Sequence, residues 1–312
     1  MNIGLDIMGG DFAPLEAVKG LHLFLSEHDA TAGIFLFGDE AQVNPLLKEQ
    51  GIASDKITVV HAPQVIGMHE HPTKALKEKQ QSSIALGYYY LAKGKIDAFI
   101  SAGNTGAMLV GALFSIKAIE GVLRPTISTI IPKENGGTGL LLDVGINADC
   151  KPENLNQFAI LGSLYAKHIL GIENPRVGLI NIGEEEGKGN ILAQATYPLL
   201  KENSQINFIG NIEGRDVFMD KADVMVCEGF TGNIILKLAE SLYDIAQRKK
   251  IEHEYFNRFN FENYGGTPVL GVNKPVIIGH GISQSKSFKN MIVLAQKMID
   301  KNVMQRMKDE LV

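Results

Sequence analysis

Lys188 stands in "LINIGEEEGKGN" (179–190), where an apolar run enters glycines, acids and a lysine. A phosphate-wrapping P-loop needs a glycine, four free positions, then Gly-Lys followed by Ser or Thr. Here only three positions separate Gly183 from Gly187, and Gly189 follows the lysine. The stretch fits an anion held by backbone amides and one ammonium rather than ATP. Its bland alternative is a surface lysine neutralising Glu184, Glu185 and Glu186.

Six further stretches share this chemistry: "MGGD" (8–11), "SAGNTG" (101–106), "DVGIN" (143–147), "GNIEGRD" (210–216), "CEGFTGN" (227–233) and "GHG" (279–281). Glycines let backbone N–H groups approach an oxyanion closely, and a following helix start adds positive potential. Asn104, Asn147, Asn181 and Asn233 add neutral donors. Together they suit a small, highly charged oxyanion beside a polarised carbonyl. Taken singly, each glycine reads as a turn, and Asn104 and Asn233 read equally as helix caps.

Sharper signatures fail. The first strand is followed by Gly9-Gly10-Asp11 rather than GxGxxG, so no nicotinamide or flavin cofactor is expected. "HEH" (69–71) lacks a zincin's second histidine, position 73 being Thr73, and His69 and His71 read as solvated loop residues. Asp216 and Asp220 are spaced to share a helix face but lack the further oxygen ligands a metal would need, so no metal is expected. GxSxG is absent, and Cys227 ends an apolar run as a buried thiol.

The elements that must position these loops are short Val/Ile/Leu/Phe runs, predicted as strands at Asn2–Asp6, Ile34–Gly38, Ile57–His61, Asp97–Ser101, Leu140–Val144, Arg176–Asn181, Ile206–Gly210, Asp223–Cys227 and Val276–Gly279. Their continuous apolarity predicts a parallel sheet covered on both faces, a three-layer α/β/α sandwich whose ligand crevice lies at the strands' carboxyl ends. The strongest helix begins just after Thr231, its last turn carrying Arg248, Lys249 and Lys250. No repeat or linker divides residues 1–312, so one domain is expected. A formal charge of −5 argues against nucleic acid, and two cysteines without metal-ligand spacing argue against a disulfide scaffold. The first residues lack a secretory pattern and no apolar run is long enough to span a bilayer, so the expected location is cytoplasmic, with attachment at the inner face of a membrane left open.

"DIMGGDFAP" (6–14), "SAGNTGA" (101–107), "LLLDVGIN" (140–147), "RVGLINIGEEEGKG" (176–189), "NFIGNIEGRD" (207–216), "GFTGN" (229–233) and "YGGTPVLGV" (264–272) together resemble the bacterial phosphate acyltransferases of phospholipid synthesis, in the same order through nearly the whole chain. The resemblance implies a Rossmann-like fold similar to phosphotransacetylases and isocitrate/isopropylmalate dehydrogenases. It also implies a homodimer needing no cofactor or metal, and reversible transfer of a long-chain acyl group from acyl carrier protein to inorganic phosphate. The acyl-phosphate product would serve a membrane glycerol-3-phosphate acyltransferase. On this reading Lys188 binds phosphate or offsets developing charge, and Asn233 and Asn104 donate to phosphate or to the thioester oxygen. Gly103, Thr105, Gly106, Asn181 and Gly232 line the anion, while Asp11, Asp143 and Asn147 orient it. His280 is either an acid for the departing thiolate or a structural histidine.

Two departures from the family pattern matter. Where the family carries a longer apolar hairpin associated with dimer and membrane contact, this chain has a shortened tip within 234–264, its end being the largely polar "IEHEYFNRFNFENY" (251–264). The histidines of "MHEHPTKAL" (68–76) stand where the family more often has acidic or serine positions. An acidic carrier protein calls for a basic docking surface, for which Arg248, Lys249, Lys250 and Arg258 are candidates, with Lys286 and Lys289 as a second cluster. The alternatives are a metal- and NAD-dependent hydroxyacid dehydrogenase on the same fold and a non-catalytic carrier-protein or lipid-binding module.

Overall fold

The computed structural model describes residues 1–28, 32–53 and 55–311. They form two compact units, Met1–Ile119 with Glu262–Met304, and Glu120–Phe261 with Gln305–Val312.

The first unit holds β1 (Asn2–Asp6), β2 (Gly33–Gly38), β3 (Ile57–His61) and β4 (Ala98–Ser101). Its helices are α1 (Leu15–Glu27), α2 (Glu40–Glu49), α3 (Pro72–Glu78), α4 (Ser83–Ala92) and α5 (Thr105–Gly111). The second holds β5 (Thr126–Pro132), β6 (Thr138–Leu142), β7 (Arg176–Asn181), β8 (Asn207–Glu213) and β9 (Val224–Val226), with α6 (Pro152–Tyr165), α7 (Ile191–Glu202), α8 (Gly229–Lys249) and α9 (Glu254–Asn257). The chain then returns to the first unit for β10 (Thr267–Leu270), β11 (Val276–Ile278) and α10 (Ser285–Asp300), before α11 (Val303–Glu310).

In the first unit the strand order is β3-β2-β1-β4-β11-β10, parallel except for β10, which runs antiparallel to β11. Ala98, Phe99 and Ile100 are all fully buried although successive side chains point to opposite faces, so both faces of β4 are covered. Gly87 brings α4 close enough that a Cβ there would lie 2.2 Å from the Phe99 ring. Gly20 on α1 makes a similarly tight crossing with α10, where a Cβ would lie 2.4 Å from that of Phe288.

In the second unit the order is β5-β6-β9-β7-β8, with β6, β9, β7 and β8 parallel and β5 antiparallel to β6. Gly162 lets α6 lie against Leu142 and Val224. At the amino ends of these strands, the buried Lys133 reaches Asp223 (2.7 Å) and Asp220 (3.0 Å), and Arg176 binds Asp223 through Nε at 2.9 Å.

The nine expected strands are present, β1, β3 and β7 with the expected ends and the others with shifted ends, but the sheets are mixed rather than parallel: β5 and β10, which the apolar runs did not mark, are the two antiparallel members. The strongest helix begins at Gly229 rather than after Thr231, because Glu228 caps it by accepting the Thr231 N–H at 2.7 Å. It ends at Lys249, and Lys250 adopts a left-handed conformation (φ 56°) as its cap. Among the described residues no helix is long and apolar enough to cross a membrane.

Candidate functional site

Parallel strands bring the loops that follow them to one edge of each sheet. In the first unit the loop after β1 hangs from Asp6. This buried carboxylate accepts the Ser101 hydroxyl (2.6 Å) and the Met8 N–H (3.0 Å), and Ser101 Oγ in turn accepts the Gly103 N–H at 2.9 Å. Burial raises the Asp6 carboxyl above its ordinary range, and these donors offset part of that rise. Gly9 must be glycine here, since a Cβ would lie 2.6 Å from both Asp6 Oδ2 and Gly103 N. The exposed Asp11 is tied to the loop after β11 by its N–H, which donates to Gly281 O at 2.7 Å, and His280 is half-buried on that same loop.

Asn104 is buried and caps α5 by accepting the Ala107 N–H at 2.9 Å. Its amide donates to the carbonyls of Gly67 (3.0 Å), Met68 (3.2 Å) and Glu70 (3.1 Å). Both amide hydrogens therefore face backbone oxygens, and the side chain ties the 67–70 loop to the start of α5. Thr105 is exposed in the first turn of that helix, and a Cβ at Gly106 would lie 2.4 Å from Pro72 Cγ. His69 and His71 are exposed.

The second unit builds its counterpart around Asp143, fully buried at the end of β6. One carboxylate oxygen accepts the N–H groups of Gly145 (2.7 Å) and Ile146 (2.8 Å). The other accepts the Thr126 hydroxyl (3.1 Å) and the Asn147 amide (2.6 Å). Burial raises this carboxyl too, against those four donors. Asn147 uses its other amide hydrogen on Pro125 O at 2.9 Å, and its own carbonyl receives the Gly229 N–H at 2.7 Å.

The start of α8 is thereby seated on the 143–147 loop, and Gly232 makes the contact possible: a Cβ there would lie 1.8 Å from Asp143 O. Asn233, exposed, donates to Val144 O at 3.1 Å through one amide hydrogen, and no partner to the other occurs among the described residues. Cys227 is buried beneath, its thiol pushed far up by burial.

Lys188 lies on the loop between β7 and α7, which Asn181 clamps by donating to Lys188 O (3.1 Å) and accepting the Ile182 N–H (2.8 Å). Gly189, at φ 99°, closes the loop where a Cβ would lie 2.3 Å from Asn181 Oδ1. Two of the three neighbouring acids are engaged elsewhere, Glu184 with Lys221 at 2.5 Å and Glu186 with Lys201, while Glu185 has no ion-pair partner among the described residues. No ion pair to the exposed Lys188 occurs among the described residues. The start of α7, capped by Asn190 (Ala193 N–H to Oδ1, 2.8 Å), follows immediately and adds its positive end.

The structure thus interlocks Asp143, Asn147, Gly232 and Asn233, and separately ties Asn181 to the Lys188 loop. Of the asparagines expected to meet the anion, Asn104 and Asn147 have both amide hydrogens engaged with the chain itself, the geometry of positioning groups, whereas Asn181, like Asn233, donates one amide hydrogen bond, here to Lys188 O. Of the expected docking residues, Arg248, Lys249 and Lys250 are exposed, whereas Arg258 donates to Lys133 O (3.1 Å) and Gly137 O (2.5 Å). Lys289 pairs with Glu27 at 2.7 Å and Lys286 donates to Asn263. The shortened tip folds onto its own unit, with Phe259 buried and edge-on to Phe218 and Tyr255. Sequence reasoning missed Asp6, Ser101 and Thr126. The available signal was the repeated Leu-Asp at a strand end before glycine, in "LDIMGG" and "LDVG".

Comparisons with known proteins agree over the whole length. A family model described as fatty acid synthesis protein matches residues 1–306. The phosphate acyltransferase of Aquifex aeolicus is 44% identical, covering 96% of this chain and 94% of that protein. That of Halothermothrix orenii is 42% identical, covering 100% of this chain and 98% of that protein. Among solved structures, a phosphotransacetylase from Streptococcus pyogenes superposes with a TM-score of 0.67 at 17% identity, over 96% of this chain and 94% of that one. The EutD phosphotransacetylase from Staphylococcus aureus gives 0.64 at 18% identity, over 95% and 94%. These two likenesses establish a shared Rossmann-like α/β fold.

Proposed function

The chain belongs to the phosphate acyltransferase family of fatty acid and phospholipid synthesis, and from that premise we propose that it transfers a long-chain acyl group from acyl carrier protein to inorganic phosphate by direct attack. A phosphate oxygen forms a bond to the thioester carbonyl carbon, the C–S bond breaks, and the thiolate leaves with the proton that phosphate gives up. The products are acyl-phosphate and free carrier thiol, and the step is reversible.

One observation carries the reading: Lys188 is exposed and unpaired among the described residues, while Glu184 and Glu186 beside it are already neutralised by Lys221 and Lys201. An ammonium held on a clamped loop at a helix start is prepared for an oxyanion. Asn233 supplies a neutral donor in the first turns of α8, seated on the 143–147 loop. Phosphate is nucleophilic near neutral pH, so alignment and charge stabilisation are what the site has to supply.

Docking of the acidic carrier falls to Arg248, Lys249 and Lys250 at the far end of α8, where association should weaken with salt. Ile234, Leu238 and Ile245 are exposed along one side of that helix, a face a second copy would cover in a homodimer.

The test is acyl-phosphate formation from palmitoyl-acyl carrier protein and inorganic phosphate, trapped as hydroxamate. Lys188→Ala and Asn233→Ala should each lower kcat/KM by roughly 10²-fold or more while remaining folded. Full activity in both variants would return Lys188 to the surface-lysine reading.

A further inference from the structure

Three short segments border an open groove of about 460 Å³ in the second unit: Ala148–Cys150, Asn190–Leu192, and Glu228 with Phe230. Each segment continues a candidate site loop. Cys150 lies three residues beyond Asn147, Ile191 three beyond Lys188, and Phe230 three before Asn233, on the same side of α8. The groove therefore opens beside the atoms that would hold phosphate and carbonyl.

Beside Asp149, Asn190 and Glu228, its rim carries large apolar side chains where helix starts are ordinarily polar. Ile191, the first residue of α7, is 89% exposed, and Phe230, the second of α8, is 63% exposed. Neither helix carries an acid in its first turn. Ile182, at the other end of the Lys188 loop, is 80% exposed. The Cys150 thiol on the wall is pushed up to about 12 by burial and by the charge of Asp143, so it contributes a neutral, weakly polar surface. Ile191 and Phe230 thus place two large, mostly exposed apolar side chains on opposite segments of one groove.

We propose that this groove receives the acyl chain of the thioester, with Ile191 and Phe230 setting how long a chain is accepted. The inference rests on the acyl-transfer reading above. The occupant follows from continuity: a thioester carbonyl placed near Lys188 and Asn233 directs its chain past the residues that flank them. The volume falls within the roughly 300–1,000 Å³ of small-ligand pockets. A second apolar groove, about 290 Å³ and lined by Leu76, Tyr88, Val110 and Phe114, lies in the first unit. It sits at the far end of α5, about 9 Å along the helix from Asn104, with no continuity to a site loop.

The chain contains no tryptophan, so Phe230→Trp places a single indole at the groove. Its emission should shift to the blue on adding S-palmitoyl-N-acetylcysteamine below its micelle concentration, and stay unchanged with the S-acetyl compound. Leu238→Trp, two turns further along α8, should not respond to either. In turnover, Ile191→Asp should raise KM for the palmitoyl thioester about tenfold or more and leave the acetyl thioester unaffected. No shift at Phe230→Trp, an equal shift at Leu238→Trp, or a shift only in Phe114→Trp would overturn the assignment. The fluorescence arm needs no turnover. A shift without acyl-phosphate formation would keep the lipid groove and reject the reaction; acyl-phosphate formation without a shift would do the reverse.

Discussion

Asp6 in one unit and Asp143 in the other hold the same kind of place, the carboxyl end of a buried strand, and each suspends a glycine loop from its carboxylate. They differ in what converges on them. Asp6 is held by the Ser101 hydroxyl, a group that can also turn and accept, and by the Met8 N–H, whereas Asp143, besides the Thr126 hydroxyl, gathers two backbone N–H groups and an amide that can only donate in their present setting. The loops beyond differ correspondingly. Around Asp6 the asparagine, Asn104, has both hydrogens engaged; around Asp143 the asparagine on the adjoining helix, Asn233, keeps one hydrogen uncommitted. The anchor whose donors include an amide that cannot turn goes with the helix start that presents an open donor, as expected where oxyanion stabilisation depends on groups that do not move when charge develops.

The largest effect should come from prying apart the Asp143 assembly. Gly232→Ala puts a methyl group 1.8 Å from a backbone oxygen, and backbone, unlike a side-chain tip, cannot swing aside. A stability loss of roughly 3 kcal/mol or more is expected in urea unfolding, with acyl-phosphate formation abolished. Gly9→Ala in the other unit meets atoms at 2.6 Å and should cost less. Equal costs at the two positions would undo the distinction between the loops.

Next in size is the opposite end of the second unit, where carboxylates behave in the reverse sense. Burial alone would raise Asp223, but hydrogen bonds from Arg176 and Lys133 outweigh it and hold its carboxyl well below the unfolded value of 3.8. Its contribution is therefore present above about pH 4 and lost progressively as pH falls through the folded pKa. Asp223→Asn should destabilise by about 3 kcal/mol at pH 7, and its urea midpoint should draw toward that of wild type as pH falls to about 2. A difference independent of pH would mean the ionic contacts contribute nothing to stability.

How far these features were legible in the sequence depends on the range over which they act. The parallel strands were readable because covered strands are apolar without interruption, as in "AFIS" at β4 and "VII" at β11. The strand β5, "TISTIIP", alternates hydroxyls with isoleucine, and β10, "TPVL", carries a proline, so neither matched that pattern. Thr126 and Ser128 are nonetheless buried, and Thr126 donates to Asp143. Lys188 and Asn233 could be named as candidates because glycine, amide and ammonium are local signals. That Asn104 would bond to carbonyls at 67–70, or Arg258 to Lys133 and Gly137 more than a hundred residues away, was not, since those partners are fixed only by the fold.

The smallest effect is the most direct test of the comparison: replace each buried aspartate with asparagine. The amide keeps one acceptor oxygen and substitutes an NH₂ for the other. At position 6 the NH₂ can face Ser101, whose hydroxyl can turn to accept. At position 143 one oxygen faces two N–H groups and the other faces the Thr126 hydroxyl, which can turn, and the Asn147 amide, which cannot reverse without setting its own oxygen against Pro125 O. Asp143→Asn should therefore leave a donor unsatisfied and cost about 1–3 kcal/mol, and Asp6→Asn less than about 1 kcal/mol. The pH dependence adds a second reading. Both carboxyls have folded pKa values raised above 3.8, so each holds its proton longer folded than unfolded, and stability falls as pH rises from 3.8 through the folded pKa. Each asparagine removes that decline. Urea midpoints of the two variants and wild type between pH 4 and 7 should thus diverge most at the acidic end, where the wild-type carboxyl is protonated and its stability is greatest. A variant whose offset grows toward neutral pH would show the aspartate to be stabilised by ionisation, and the shared picture of two desolvated anchors would fail for that unit.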